Sequence, residues 1–425
     1  MSNSQKTICL NLIVKNDADI ILDRLQSVHN HITDYVIINI GGPSDTTVPL
    51  IQQYYNTNPL PGHIIDLEFV NFGETRTEAL NLAKSLSQSE YILFIDPDMQ
   101  FIAAPGCNLK SYLFDIDDII TDDDVNNFLF NHSVSSCMHY LLPRLVKRNI
   151  ECNFVGVTHE YFNINGNRIH IDSNKFGIEI IDNCGLNTRN INKFELDAQL
   201  LEKELEKNDL SIRQRSRSLF YLGNSYRDCK KYDLAIENYQ NALNFDEWDE
   251  QRYLENLNIY KCLCFKNINN YEILVEPLYK AIKEIPERIE AYYYLMCETI
   301  DKRICTLDFI KVYDLVFCNF SIQDFPFDNN QFTLFNEYNV IEQKFPYYMA
   351  LFLYLSDNID ESKRLFNKII SLDSINYINK IKLKNSYTDF ISKIRPIDTL
   401  IQKTIDMFIK GKVKEYKYFL IDTIK

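Results

Sequence analysis

Tyr91-Ile92-Leu93-Phe94-Ile95 runs without interruption into Asp96-Pro97-Asp98. A continuous apolar run of this length predicts a strand buried on both faces, as in a parallel sheet. The proline cannot donate to a ladder, so it ends the strand and holds the chain extended. Two carboxylates then stand just past the carboxyl end of a central strand. Open α/β sheets bind their ligands at that edge. Hard oxygen donors there suit a divalent metal, Mg²⁺ or Mn²⁺, carrying substrate phosphates. Asp-x-Asp is also a short pattern that a strand ending in a polar turn would share.

The preceding residues supply neighbours for such a strand. Thr7 to Val14 is β-branched and leucine-rich. Lys15-Asn16-Asp17 follows, with Asn16 or Asp17 able to cap a helix whose apolar face is Ile21, Leu22, Leu25 and Val28. Tyr35 to Ile40 predicts a second strand. Gly41 to Asp45 is a turn, and a helix runs on to about Tyr55. His63 to Val70 predicts a third strand. Ala79, Leu82, Ala83 and Leu86 mark a helix before Tyr91. Strand–helix alternation of this kind implies a parallel, right-handed, Rossmann-like α/β sheet.

Composition removes several function classes. The 425 residues carry a formal net charge of -14, which argues against nucleic acid or an anionic membrane surface as the main partner. No window reaches the roughly 18–20 apolar residues of a membrane span. The amino terminus has no apolar signal segment. The 11 cysteines form no CxxC pair and no zinc spacing. A cytoplasmic, reducing location is the expectation.

Several segments resemble family 2 glycosyltransferases of the GT-A fold. Ile13-Val14-Lys15-Asn16-Asp17-Ala18 is similar to their opening motif. Ser44-Asp45-Thr46-Thr47 is similar to the end of their second turn, Phe72-Gly73-Glu74-Thr75-Arg76 to the helix start that carries an arginine, and Ile95-Asp96-Pro97-Asp98-Met99 to their DxD segment. Gly156-Val157-Thr158-His159-Glu160-Tyr161 resembles a segment of a subgroup with helical repeats after the transferase domain. The resemblance spans most of residues 7 to 250. It implies a metal-dependent, inverting transfer from a nucleotide-sugar donor, most simply a UDP-sugar, to a glycan or protein acceptor. Two positions depart from the family. Ile40 stands where an aspartate usually meets the nucleoside, and Thr77 where an asparagine often follows the arginine. Nucleotide recognition is therefore altered, or the site is weakened or lapsed.

The resemblance and the chemistry together give each residue an expected role. Asp98 would ligate the metal, and Asp96 would hold the ribose or share the metal through water. Arg76 would grip phosphate oxygens in a bidentate fork, unless it is a surface arginine. Asn16 and Asp45 would lie near the nucleotide, unless Asn16 only caps a helix. Glu160 would take the acceptor proton, with His159 as a metal ligand or orienting group. Adjacent strand residues face opposite ways, so both can act only if the strand ends or bends there. Asp115 to Asp118 and Asp122 to Asp124 are rival acidic stretches. They lie in a polar segment, about Gln100 to Asn131, expected to be solvated loop.

From Asn192 the alternation ceases. A bridging helix begins near Phe194. Leu219, Leu222, Gly223 and Tyr226, then Ala235, Tyr239 and Ala242, match the two helices of a tetratricopeptide (TPR) unit, with Asp233 as a cap. Tyr253 recurs about 34 residues after Leu219, and Ala281 and Pro286 close a looser second unit. Tyr292 and Leu295 open a third. The expected organisation is a GT-A domain over residues 1–190, a bridging helix over 191–212, TPR-like repeats over 213–375 and a helical segment over 376–425 with a basic patch at Lys410-Gly411-Lys412-Val413-Lys414. The repeats would position the acceptor or a protein partner. The alternative is a lapsed transferase domain serving as an interaction scaffold.

Overall fold

The computed structural model describes residues 6–42, 44–117, 125–135, 138–171, 177–182, 191–245, 248–301, 306–327, 340–372 and 383–389. Asp122 to Asp124, Asp118 and the Lys410–Lys414 patch lie outside them. The chain forms two units, residues 1–229 and 230–425.

In the first unit the strands are β1 (Ile8–Val14), β2 (Asp34–Asn39), β3 (Gly62–Asp66), β4 (Tyr91–Ile95), β5 (Met99–Ala103), β6 (Val125–Ser135), β7 (Met138–Lys147), β8 (Cys152–Val155), β9 (Tyr161–Ile164), β10 (Asn167–Ile171) and β11 (Ile178–Asp182). The helices among them are α1 (Ile21–Val28), α2 (Thr47–Thr57), α3 (Phe72–Leu86) and α4 (Leu109–Asp117), followed by α5 (Ile191–Leu205) and α6 (Ile212–Asp228). The sheet order is β3-β2-β1-β4-β7-β6-β11-β5, with β10 beside β6 and a separate β8–β9 hairpin.

β4 is buried along its whole length, as its unbroken apolar run requires. β3, β2, β1 and β4 are parallel, and β7 then joins β4 antiparallel. The sheet is therefore mixed, with its parallel half formed by the amino-terminal alternation. Its two faces are covered separately. On one, Leu10, Leu12, Leu93 and Ile95 pack with Ile21, Leu25, Ile51, Leu109 and Leu113. On the other, Val36, Ile38, Ile92 and Phe94 meet Ala79, Leu80 and Ala83 of α3. The two alanines let α3 approach closely, and its backbone is tied to the strands by buried Asn11, whose Nδ2 donates to the carbonyls of Val36 (3.1 Å) and Ala79 (3.2 Å).

The described part of the Gln100–Asn131 segment, residues 100–117 and 125–131, is not a solvated loop. β5, α4 and the start of β6 occupy its described part. Phe101, Leu109, Leu113, Phe128 and Phe130 are buried there and outweigh the acidic residues between them.

The second unit is helical throughout its described residues: α7 (Tyr232–Ala242), α8 (Asp249–Phe265), α9 (Tyr271–Glu284), α10 (Glu290–Asp301), α11 (Thr306–Asn319), α12 (Phe345–Leu355) and α13 (Ile359–Ser371). Tyr239, Tyr253, Ala281, Tyr292 and Leu295 are all core residues, as the repeat spacing predicts. Asp233 does not cap α7. Lys231 holds that position, and the Asp233 carboxylate pairs with Lys266 instead. The unit boundary at Cys229 places both α5 and α6 with the sheet. The bridging helix and the first expected repeat helix thus belong to the first unit.

One buried carboxyl in α8 gives this unit a pH dependence. Glu255 is fully buried, Gln251 Nε2 donates to its Oε1 at 2.8 Å, and its Oε2 has no hydrogen-bond partner. Burial, followed by the nearby Glu284 charge, pushes its pKa up to about 8, against the pull of Gln251 and Arg252. The native state then keeps a proton that the unfolded chain releases above the ordinary glutamate value of 4.5. Stability from this group is complete below that value and is lost as pH rises through about 8. Urea unfolding of the full chain at pH 5 and pH 9 is expected to show a loss on the order of 3 kcal/mol that Glu255→Gln largely abolishes. Equal pH slopes in the two proteins would contradict this assignment.

Candidate active site

The carboxyl edge of the parallel strands opens into a cleft of about 540 Å³. Ile13, Val14, Lys15 and Asp17 come from β1 and its loop, Ile40 from the end of β2, and Phe69 from the loop after β3. Phe72, Thr75 and Arg76 come from α3, Asp96 to Met99 from the end of β4, His159 from the turn between β8 and β9, and Lys193 from α5. This is the edge where ligands of open α/β sheets bind.

The Asp96–Asp98 turn is held from behind. Met99 N donates to Asp96 O at 2.9 Å, and buried Arg24 of α1 donates from Nε to Pro97 O at 3.1 Å. Asp96 and Asp98 both line the cleft. Asp96 is engaged by two arginines: Arg76 Nη1 lies 2.6 Å from its Oδ1, and Arg144 Nη1 lies 3.7 Å from its Oδ2.

Arg76 is a junction. Its Nε also lies 2.5 Å from Glu160 Oε1, so one guanidinium bridges two carboxylates that are 64 positions apart in sequence. That second contact is an ion pair off the hydrogen-bonding direction, since Nε has no partner with hydrogen-bond geometry. Burial alone would lower the guanidinium pKa. The Asp96 and Glu160 charges outweigh it and hold the value above the ordinary one. Arg76 is thus not a surface arginine.

The His159–Glu160 turn bends as simultaneous use of both side chains requires. β8 ends at Val155 and β9 starts at Tyr161, and Gly156 (φ 110°) and His159 (φ 49°) both take left-handed backbone. Gly156 accepts that φ without penalty. Gly73 of α3 meets it closely: a Cβ there would stand 2.2 Å from Gly156 O. Phe72 N donates to Val157 O at 3.0 Å, and Thr77 Oγ1 accepts from Phe154 N at 2.9 Å. Thr77 therefore has a structural role, tying α3 to β8. Burial lowers the His159 pKa, with Arg217 and Lys193 adding to the shift and Asp197 opposing it.

Asn16 and Asp45 are joined to each other and do not line the cleft. Asn16 has φ 57°, and its backbone N–H donates to Asp45 Oδ2 at 2.6 Å. Asp45 Oδ1 also accepts from Thr47 N (2.9 Å) and Thr47 Oγ1 (2.5 Å). Burial would raise the Asp45 pKa, but these bonds hold it below the ordinary value. Neither Asn16 nor Asp17 caps α1, whose N-cap is Ile20. Residues outside the expected set contribute instead. Asp17 lines the cleft, and burial, with the Asp45 and Asp96 charges behind it, raises its pKa against the Lys15 N–H bond. Lys15 and Lys193 supply cations, Lys15 with its Nζ 6.0 Å from the Phe69 ring. Lys15 stood inside a recognised segment, whereas nothing in the sequence around Lys193 points to this cleft.

Among the described residues no group of three His, Cys, Asp or Glu has metal-binding geometry. A Mg²⁺ or Mn²⁺ that takes its other ligands from phosphates and water needs only one or two carboxylates. Both Asp98 and Asp96 line the cleft, and such an ion would take Asp98 as its direct ligand and Asp96, engaged by two arginines, as an outer one.

No protein-family model and no curated protein matches the chain. Solved structures similar to it include S. aureus TarS, at 14% identity and TM-score 0.35, covering 66% of this chain and 55% of that one. The chain thus spans little more than half the length of that TarS chain. TarS 1–349 in complex with UDP-GlcNAc is similar at 12% identity and TM-score 0.27, covering 65% of this chain and 89% of that one. YrrB, a TPR protein with an unusual peptide-binding site, is similar at 14% identity and TM-score 0.30, covering 46% and 85%. The chain combines an amino-terminal mixed α/β sheet with a helical carboxyl-terminal region. Among the described residues no helix is long and apolar enough to cross a membrane.

Proposed function

We propose that the chain is a glycosyltransferase that moves a sugar from a nucleotide-sugar donor, in the first instance a UDP-sugar, to an acceptor hydroxyl with inversion. The observation that carries this reading is the cleft itself. At the carboxyl edge of β1, β2 and β4 it gathers Asp96 and Asp98 with Lys15, Arg76 and Lys193. Asp98, with Asp96 beside it, would hold a Mg²⁺ or Mn²⁺ whose Lewis acidity offsets the charge of the departing diphosphate. Lys15 and Lys193 add positive charge to the same cleft. Ile13, Val14, Ile40, Phe69 and Phe72 give it apolar wall, which keeps water from the sugar. Ile40 meets the nucleoside by packing where a carboxylate would hydrogen-bond. Arg76 holds Glu160 beside the cleft, where it takes the acceptor proton, a role worth about 10²–10⁴-fold in rate.

The acceptor, a glycan or a protein, is brought by the helical unit. That unit has a groove of about 1070 Å³ lined by Tyr271, Val275 and Tyr279 together with Glu272, Lys283 and Lys311. The cytoplasm is the compartment that suits the cysteine usage.

The test is purified full chain with Mn²⁺ and a panel of nucleotide sugars beginning with UDP-GlcNAc. Release of nucleoside diphosphate is expected with at least one donor, and Asp98→Ala is expected to lower turnover about 100-fold with the fold intact. Absence of hydrolysis, transfer and thermal shift with every donor would overturn the reading. Ile40 in the cleft favours one second reading, a lapsed transferase acting as a scaffold. It predicts that Asp98→Ala leaves cellular function unchanged.

A further inference from the structure

The turn that carries Glu160 is gripped by more than the sheet and α3. Thr158 Oγ1 donates to Asp197 Oδ1 of α5 at 2.9 Å, and both residues are buried. The His159 ring stacks on Tyr221 of α6, with centroids 4.2 Å apart and planes within 10°. One turn earlier on α6, Arg217 Nη2 donates to His159 O at 2.8 Å. Its guanidinium lies 4.8 Å from the Tyr221 ring and 5.4 Å from the Tyr161 ring. Consecutive residues 158, 159 and 160 are therefore each held by a different element: α5, α6 and Arg76 of α3.

This grip has a physical purpose. A histidine at φ 49° sits in a left-handed backbone region that is unfavourable for a non-glycine residue, and it persists only where the surroundings over-determine it. The Arg217 hydrogen bond and the Tyr221 stack supply that constraint. They act on the peptide unit immediately before Glu160 and so set where its carboxylate points.

Resting on the transferase reading, we propose that α5 and α6 complete the active site, with Asp197, Arg217 and Tyr221 as positioning residues for Glu160. They touch neither donor nor acceptor. Their effect reaches the chemistry through the Thr158–Glu160 backbone. A misplacement of about 1 Å at a reacting group costs on the order of 100-fold in rate. Because the loss arises at the proton-abstracting carboxylate, it falls on kcat and leaves the donor KM nearly unchanged.

The experiment compares full-length wild type with Tyr221→Leu, Tyr221→Phe and Arg217→Met. Steady-state transfer kinetics are measured together with the His159 imidazole titration by NMR. Tyr221→Leu and Arg217→Met are expected to lower kcat about 100-fold with little change in donor KM. Tyr221→Phe, which keeps the flat ring, is expected to behave as wild type. The His159 pKa is expected to rise in Arg217→Met, because the Arg217 charge depresses it. An active wild type with unaltered kcat in Tyr221→Leu and Arg217→Met overturns the assignment alone. A wild type with no transfer or hydrolysis overturns the transferase reading, and the assignment with it.

Discussion

Replacing Arg76 by alanine is expected to lower turnover about 100- to 1000-fold, the cost of removing a preorganised charge from an active site. The substitution separates Asp96 from Glu160 electrically. Two carboxylates that now share one guanidinium at 2.6 and 2.5 Å would face each other and the cleft without it. Arg144, 3.7 Å from the far oxygen of Asp96, offsets only part of that charge. A stability loss on the order of 2 kcal/mol is expected as well, below the value for a fully buried pair because all three groups keep some solvent contact. Arg76→Lys is expected to recover the stability and little of the activity, since one ammonium cannot serve two carboxylates in fixed directions. Turnover and urea unfolding of the two variants check both statements. Wild-type turnover in Arg76→Ala would remove Arg76 and Glu160 from the mechanism.

The largest stability effect is expected from Arg288→Ala in the helical unit, a loss of about 3–5 kcal/mol. Arg288 is fully buried between α9 and α10 and pairs with Glu290, itself fully buried, through Nε (3.2 Å) and Nη2 (3.4 Å). Its Nη1 lies 3.7 Å from Glu250, and its guanidinium 4.7 Å from the Tyr253 ring. Tyr253 Oη accepts from Ala291 N at 2.8 Å and donates to Glu290 Oε2 at 3.4 Å, so the ion pair also sets the α8–α10 packing. Alanine leaves Glu290 in a dry interior without its Arg288 partner. The double substitution Arg288→Met with Glu290→Leu removes both charges and is expected to regain most of the loss, because a buried pair contributes little beyond an apolar pair of equal volume. A double variant no better than Arg288→Ala would show that the hydrogen bonds, and not the stranded charge, carry the effect.

The sequence shows most plainly what local pattern determines. β4 and its two aspartates follow from five apolar residues and a proline, and the core positions of the repeats follow from helical spacing. Long-range pairing is invisible in it. Arg76 could be placed on a helix, but nothing near it names Asp96 and Glu160 as joint partners. Asn16 and Asp45 have the residue types of nucleotide ligands, yet their nearest donors and acceptors are each other and Thr47. In the Gln100–Asn131 segment the acidic residues masked apolar anchors that pack in three dimensions. The close approach of Gly73 to Gly156 depends on two glycines 83 positions apart. The placement of α5 and α6 was hidden because one reads as a bridge and the other as the first repeat helix, whereas their contacts place both with the sheet.

The central claim is that the cleft at the end of β4 receives a nucleoside diphosphate. A crystal structure of the full chain grown with UDP and Mn²⁺ tests it most directly. The account predicts the diphosphate between Asp98 and the Lys15 and Lys193 side chains, a metal on Asp98, and the uracil against Ile40. A crystal soaked to saturation with an empty cleft, or with Asp98 turned away from any bound nucleotide, would contradict it.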